Sequence, residues 1–210
     1  TTKKERLSGQ RLKVKMLSKY FHLMLKVSKS KQKYFSDRKD WRSWLRKNHK
    51  KEKEVWLVYY KKDSGKKRIP YNDAVEEALC YGSIDGTVKS IDEEKFMQRF
   101  TPRRKKSNLS QPNKERIKKM IQKKKMTQMG LEAVKEQFDP KEKFKYPEDI
   151  IFEIKKNKEA WKNYQDFPAE YKRIRIAYID DARDEKTEFQ KRLKNFINKT
   201  EQNNRFGMMI

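Results

Sequence analysis

The chain has 210 residues, 34% hydrophobic and 41% charged, and a formal net charge of +26. Four Trp, ten Tyr and eleven Phe are enough core material to exclude a wholly disordered chain, while only six Gly and six Pro exclude a linker-like or fibrous one. The single cysteine, Cys80, excludes an intrachain disulfide, and no apolar run approaches the ~20 residues that span a bilayer.

The charge is unevenly placed. It is net +10 in residues 1–35, +4 in 36–100, +10 in 101–146 and +2 in 147–210. A lysine-rich surface is often a solubility device. Concentration of the excess in two stretches points instead to a polyanion partner, either nucleic acid or an anionic surface. A protein partner is the other expectation.

Residues 1–33 form a basic N-terminal extension. Wound as a helix, Leu12, Met16, Tyr20, Leu23 and Val27 share one face, with Lys15, Lys19 and Lys26 opposite. It reads either as an amphipathic docking segment or as an unordered terminus. Leu17–Val27 is the nearest approach to a signal peptide. Lys19, His22 and Lys26 interrupt it and no small-residue cleavage site follows. The expected location is the cytoplasm.

Residues 34–138 read as an α+β domain. Ser36 or Asp37 can cap a helix that carries Trp41, Trp44 and Leu45 at helical spacing. Val55–Tyr60 is a β-rich run, apolar throughout and so covered on both faces. Asp63-Ser64-Gly65 is a turn. Tyr71–Tyr81 is a helix with Ala74, Val75, Ala78 and Leu79 on one face, stopped by Gly82. Strands follow from Ile84 to Val88 and from Lys95 to Phe100. The prediction is a small, mostly antiparallel sheet of about three strands with helices.

Pro102–Ser110 is a basic loop. Residues 112–124 form a very basic helix with Ile117, Met120 and Ile121 on its apolar face, and a short helix is predicted over 131–138. Residues 139–147 read as a linker. Residues 148–200 form an all-helical C-terminal domain of four helices, over 148–156 and 158–166, then from Pro168 and from an Asp184 cap. Tyr171, Ile174 and Tyr178 face inward on the third, and Phe189, Leu193, Phe196 and Ile197 on the fourth. Residues 201–210 lack periodicity and read as a frayed tail.

Chemistry-bearing groups are sparse. Cys80 sits on an apolar helix face, far in sequence from His22 and His49, and packs as a small hydrophobe. Two scattered His and one Cys give no zinc spacing, so neither metal nor cofactor is expected. Glu76-Glu77, Asp92-Glu93-Glu94 and Asp180-Asp181 read as solvated carboxylates rather than acid–base pairs. No catalytic residue is assigned, and the reading leans away from an enzyme.

The best candidate site is the stretch from Pro102 to Asn113. Arg103, Arg104, Ser107, Ser110 and Asn113 precede or open a helix, where free N–H groups and a partial positive charge suit an anion. Lys118 and Lys119 extend the surface along that helix. Asp85 is a possible cleft residue beside it, should the site act on a small anionic metabolite. The helix has no interleaved aromatics, so nucleic-acid binding there would be independent of sequence.

Several segments, in this order, resemble the YdeI/OmpD-associated family, also called bacteriocin-protection proteins. They are Trp41-Arg42-Ser43-Trp44-Leu45 with Asn48-His49, Val55-Trp56-Leu57, Ala78-Leu79-Cys80-Tyr81-Gly82-Ser83-Ile84-Asp85-Gly86, and Phe100-Thr101-Pro102-Arg103-Arg104. In the C-terminal part Phe167-Pro168, Tyr171-Lys172-Arg173 and Ala182-Arg183 continue the likeness. It spans about residues 34 to 200. The family's usual Trp is replaced by Ser83 and by Leu109, and its Arg after Thr187 by Glu188-Phe189. The resemblance implies a YjbR/CyaY-like or DUF1801-like N-terminal part and a helical C-terminal part. It also implies a role in tolerance of bacteriocins or cationic antimicrobial peptides, and it brings no catalytic residue with it.

Overall fold

Asp37 starts the first helix. Its carboxylate accepts the N–H of Asp40 at 2.9 Å, satisfying one of the free donors of the first turn. A computed structural model of the chain describes residues 28–105 and 107–207. The amphipathic segment read over residues 1–33 lies outside the described residues up to Val27. Within it, Gln32 already begins a strand.

The described elements are β1 (Gln32–Tyr34), α1 (Arg38–Asn48), β2 (Val55–Tyr60), α2 (Tyr71–Cys80), β3 (Ser83–Ser90), β4 (Lys95–Pro102), α3 (Gln111–Gln122), α4 (Gln128–Glu132), α5 (Glu148–Lys156), α6 (Lys158–Asp166), α7 (Ala169–Asp180) and α8 (Lys186–Glu201). The class is α+β, as read from the sequence. The sheet has four strands in the order β1-β2-β4-β3, one more than the three expected. β1 escapes pattern reading because three residues are too few to show a period of two. It pairs parallel to β2, with Lys33 opposite Leu57. β2 pairs antiparallel to β4, with Val55 opposite Phe100 and Tyr60 opposite Lys95. β3 and β4 are neighbours joined by Ile91–Glu94, a connection short enough only for antiparallel strands.

The chain divides into two compact units. One runs to Pro70 and includes Ile84–Pro102; the other comprises Tyr71–Ser83 and everything from Arg103. In the sheet unit, Val55, Trp56 and Leu57 are buried at successive positions, hence on both faces of β2. Trp41 of α1 is fully buried, with its ring 5.4 Å from Phe35, 5.4 Å from Trp44 and 5.5 Å from Phe100. These rings carry the α1–sheet contact at roughly 1.5–3 kcal/mol per buried side chain.

The helical unit has its core in Ile150, Ile154, Tyr164, Phe167, Tyr171, Ile176, Ile179, Leu193 and Phe196. Four expectations change here. The short helix runs over Gln128–Glu132, capped by Thr127, rather than over 131–138. α8 is preceded by Glu185, which makes no side-chain cap, rather than by an Asp184 cap. Tyr178 faces outward at 42% exposure, its place taken by Ile176 and Ile179. Third, the helix phase is set by what packs on it: Arg175 and Arg192 lie 4.8 and 4.0 Å from the Tyr178 ring and hold it at the surface. Last, residues up to Gly207 do not fray. The Phe206 N–H donates to the Tyr171 hydroxyl at 3.1 Å, that hydroxyl faces the Phe206 carbonyl at 3.3 Å, and the Phe206 ring packs against the core.

Gly130 shows why a glycine opens α4. A Cβ there would stand 2.3 Å from the Cys80 carbonyl oxygen, closer than any side chain allows. The same oxygen accepts both the hydroxyl and the N–H of Thr127, at 2.6 and 3.1 Å. The end of α2 is thereby capped from α4, and Cys80 is buried.

Candidate anion-binding surface

The predicted site residues are divided between the two units. Asp85 lies on β3 in the sheet unit, where its carboxylate accepts the Gln98 amide at 3.0 Å. Arg103, Arg104, Ser107, Ser110, Asn113, Lys118 and Lys119 all belong to the helical unit.

Arg103 leaves β4 with its N–H donated to the Gly82 carbonyl at 2.9 Å. Its side chain turns inward and is only 8% exposed. Nη2 donates to the Ser107 carbonyl at 2.6 Å, and the Ser107 hydroxyl and N–H both donate to the Arg104 carbonyl. These bonds draw Arg104 and Ser107 together beside the Arg103 guanidinium. Gln137 donates to the Lys105 carbonyl. Burial lowers the Arg103 pKa from the ordinary guanidinium value. Arg104 and Lys105 are exposed. Ser110 stands at the cap position of α3, but its hydroxyl makes no capping bond.

The basic helix is less solvated than its composition implies. Asn113, Glu115 and Arg116 are buried along with Ile117 and Met120. Asn113 accepts Arg116 Nη1 at 3.0 Å, and Asn72 of α2 accepts Nη2 at 2.8 Å. Asn113 therefore serves an internal network. Lys119 pairs with buried Glu76 at 3.4 Å. Glu115 receives Arg173 of α7 through Nε at 2.6 Å and Nη2 at 2.7 Å, and Gln111 at 2.6 Å. Burial pushes the Glu115 carboxyl up, but the bonds from Arg173 and Gln111 and the charges of Arg173 and Lys118 outweigh it and hold the carboxyl below the ordinary range.

Four other lysines border a concavity of about 220 Å³ between the start of α3 and residues 138–145. Lys114, Lys118, Lys143 and Lys145 line it, with Gln111. Asp139 and Glu142 are the counter-charges: Lys114 meets the Glu142 carboxylate at 3.5 Å and Lys118 its carbonyl at 3.5 Å. Both contacts are long, and that carboxylate is 61% exposed, so the pairs are weak and screened. Lys143 and Lys145 were legible only as lysines in a proline-bounded linker, and nothing in their spacing placed them opposite α3.

Other chemistry-bearing groups are used locally. The His49 Nδ1 and N–H both face the Leu45 carbonyl at the end of α1. Asp92 accepts the N–H groups of Glu94 and Lys95 in the β3–β4 turn. Asp180 pairs with Arg183. Among the described residues no cluster of His, Cys, Asp or Glu could hold a metal ion, and no helix is long and apolar enough to cross a membrane. Ser83 and Leu109, where the resembling family has Trp, are both buried.

The chain is thus an α+β protein with a small mixed sheet, a helical unit and a basic concavity in that unit. Residues 143–203 match the family described as bacteriocin-protection, YdeI or OmpD-associated, OmdA. Residues 33–133 match the family described as a domain of unknown function, DUF8412. The chain therefore carries a DUF8412 domain followed by an OmdA domain of the YdeI/OmpD-associated family. The resemblance implied a YjbR/CyaY-like or DUF1801-like N-terminal part; the family matched there is DUF8412. No curated protein and no solved structure matches the chain. The boundary between the two matches does not divide the helical unit. Glu115 and Arg173 pair across it, and the basic concavity draws Lys114 and Lys118 from one side and Lys143 and Lys145 from the other.

Proposed function

We propose that this protein is a non-enzymatic binding protein that supports tolerance of bacteriocins or cationic antimicrobial peptides by holding an anionic partner in the cytoplasm. The observation that carries the reading is the concavity lined by Lys114, Lys118, Lys143 and Lys145. Four lysines line one space, against two exposed carboxylates, Asp139 and Glu142, of which Glu142 makes only long contacts. An anionic partner gains Coulomb attraction there and releases counterions, at the cost only of a weak pair. The family matched by residues 143–203 is described as bacteriocin-protection, which supports the physiological half of the proposal. Its Lys-dominated chemistry favours a charge-tracking contact over recognition of one planar group.

The test is a chain with Lys114, Lys118, Lys143 and Lys145 replaced by Glu, compared with the wild type in cells lacking the protein. The expected outcome is that the wild type restores tolerance of a cationic peptide and the variant does not. Equal tolerance with and without the protein ends the proposal. A sequence-independent nucleic-acid partner is the other reading. It requires DNA affinity that falls steeply with the logarithm of salt concentration and is lost in the same variant.

A further inference from the structure

We propose that Arg103 anchors an oxyanion site, in which its guanidinium, Ser107 and the start of α3 hold the phosphate or carboxylate group of a small ligand. Arg103 has five N–H groups. Nη2 donates to the Ser107 carbonyl, but Nε and Nη1 are buried and have no hydrogen-bond partner among the described residues. Nε carries one N–H and Nη1 two. Among the described residues no carboxylate pairs with this guanidinium, although Glu115, Glu76 and Glu142 each take a cation elsewhere in the same unit. A buried, unpaired cation with unmet donors destabilises a fold. Such a group persists in a fold where something else repays it, and an oxyanion satisfies both the charge and the donors.

A second feature points the same way. Ser107, which holds Arg103, is three residues from the Ser110 cap, so the start of α3 lies no more than about 11 Å along the chain. α3 has twelve residues, no acidic residue in its first turn and no side-chain bond from its cap. Its N-terminal dipole therefore lacks an internal counter-charge. The cation and the helix end share a loop tied by Ser107, by Gln137 and by buried Leu109. The inference shares with the proposed function the sign of the partner and the start of α3, which also borders the lysine concavity; Arg103 and Ser107 do not line that concavity.

The experiment is thermal unfolding of the full chain in inorganic phosphate, in acetate and in sodium chloride at one ionic strength. About 10 mM phosphate is expected to raise the melting temperature by roughly 2–4 °C over chloride. A larger rise in acetate than in phosphate identifies the ligand group as a carboxylate. Arg103→Met is expected to abolish the rise while melting no lower than wild type in chloride, because it removes an unpaired buried charge. The triple variant Lys118→Glu, Lys143→Glu, Lys145→Glu is expected to keep the rise, which separates this site from the lysine concavity. The proposal is overturned if neither anion raises the melting temperature, if Arg103→Met responds as wild type does, or if the triple variant alone loses the response. Should Arg103→Met fail to fold, the ¹⁵N–¹H signals of arginine Nε in the wild type decide. A saturable shift of one such signal with phosphate supports the site, and no shift overturns it.

Discussion

The sheet unit and the helical unit bury different chemistry. In the first, stability comes from rings and aliphatic chains: Trp41, Trp56, Leu57, Tyr59 and Phe100. In the second, Arg103, Asn113, Glu115, Arg116 and Arg175 are buried beside an apolar core. Apolar burial is non-directional and tolerant of exchange, whereas a buried ion demands a particular partner in a particular direction. The helical unit has accepted that cost where α3 meets α2, within the DUF8412 segment, and where α3 meets α7, which joins the DUF8412 and OmdA segments. A polar network of this kind specifies which helices meet, and the basic concavity depends on that choice.

Mutations break the contrast in graded steps. Trp41→Ala removes the ring at the centre of the sheet unit and is expected to cost about 3–5 kcal/mol, read from urea unfolding. A cost under about 1 kcal/mol there would mean that the aromatic cluster does not carry that unit.

Glu115→Ala probes the other chemistry. It leaves Arg173 facing a buried gap, and about 2–3 kcal/mol is expected once the 24% exposure of Arg173 is allowed for. Adding Arg173→Met should recover much of that loss, because the stranded charge goes with it. An additive double mutant would refute the pairing. The same carboxylate has a pH signature. Its folded pKa lies below the ordinary 4.5, so its contribution is fully present above that value and is lost as pH falls through the folded pKa. Glu115→Gln should therefore flatten the acid limb of the stability curve below about pH 4.5 and leave the neutral limb parallel to wild type.

Phe206→Ala tests the docked tail. The ring is half-buried against the core and lies 4.2 Å from the Arg175 guanidinium. The expected cost is about 1–2 kcal/mol, with faster hydrogen exchange confined to the end of α8 and the residues after it. Arg183→Ala is the smallest. Arg183 bridges Asp149 and Asp180, yet all three side chains are at least 40% exposed. Less than about 1 kcal/mol is expected, and that should shrink further in high salt.

Most elements were legible in the sequence. The spacing of Trp41, Trp44 and Leu45 and the face Ala74–Leu79 carry the helical period, and the run Val55–Tyr60 is β-rich and apolar throughout, each matching the element formed. β1 was not legible, because its order comes from pairing with β2 rather than from its own three residues. On α7 Tyr171 and Ile174 are buried as read and only Tyr178 was misplaced, since it is apolar enough to look buried and its Arg175 and Arg192 neighbours draw it out. For the candidate site, the cations of 103–119 could be named one by one. Which of them are spent inside the fold could not, because Glu115, Asn72 and Glu76 are far from their partners in sequence or look solvated.

Composition and local pattern by themselves determined an α+β chain with a helical C-terminal part, a basic stretch over 101–146 and a likeness to the YdeI/OmpD-associated family. The elements and the charge follow from hydrophobic period, turn residues and formal charge, and the likeness from particular residue runs such as 78–86 and 100–104; none of these needs knowledge of what lies across the fold. The tertiary structure alone decided that Arg103 is buried with donors unmet, that Asn113 and Lys119 serve internal contacts, and that Lys114, Lys118, Lys143 and Lys145 share one concavity. The reason is physical: a charge is cheap or costly according to what surrounds it, and those surroundings are assembled from segments distant in the chain.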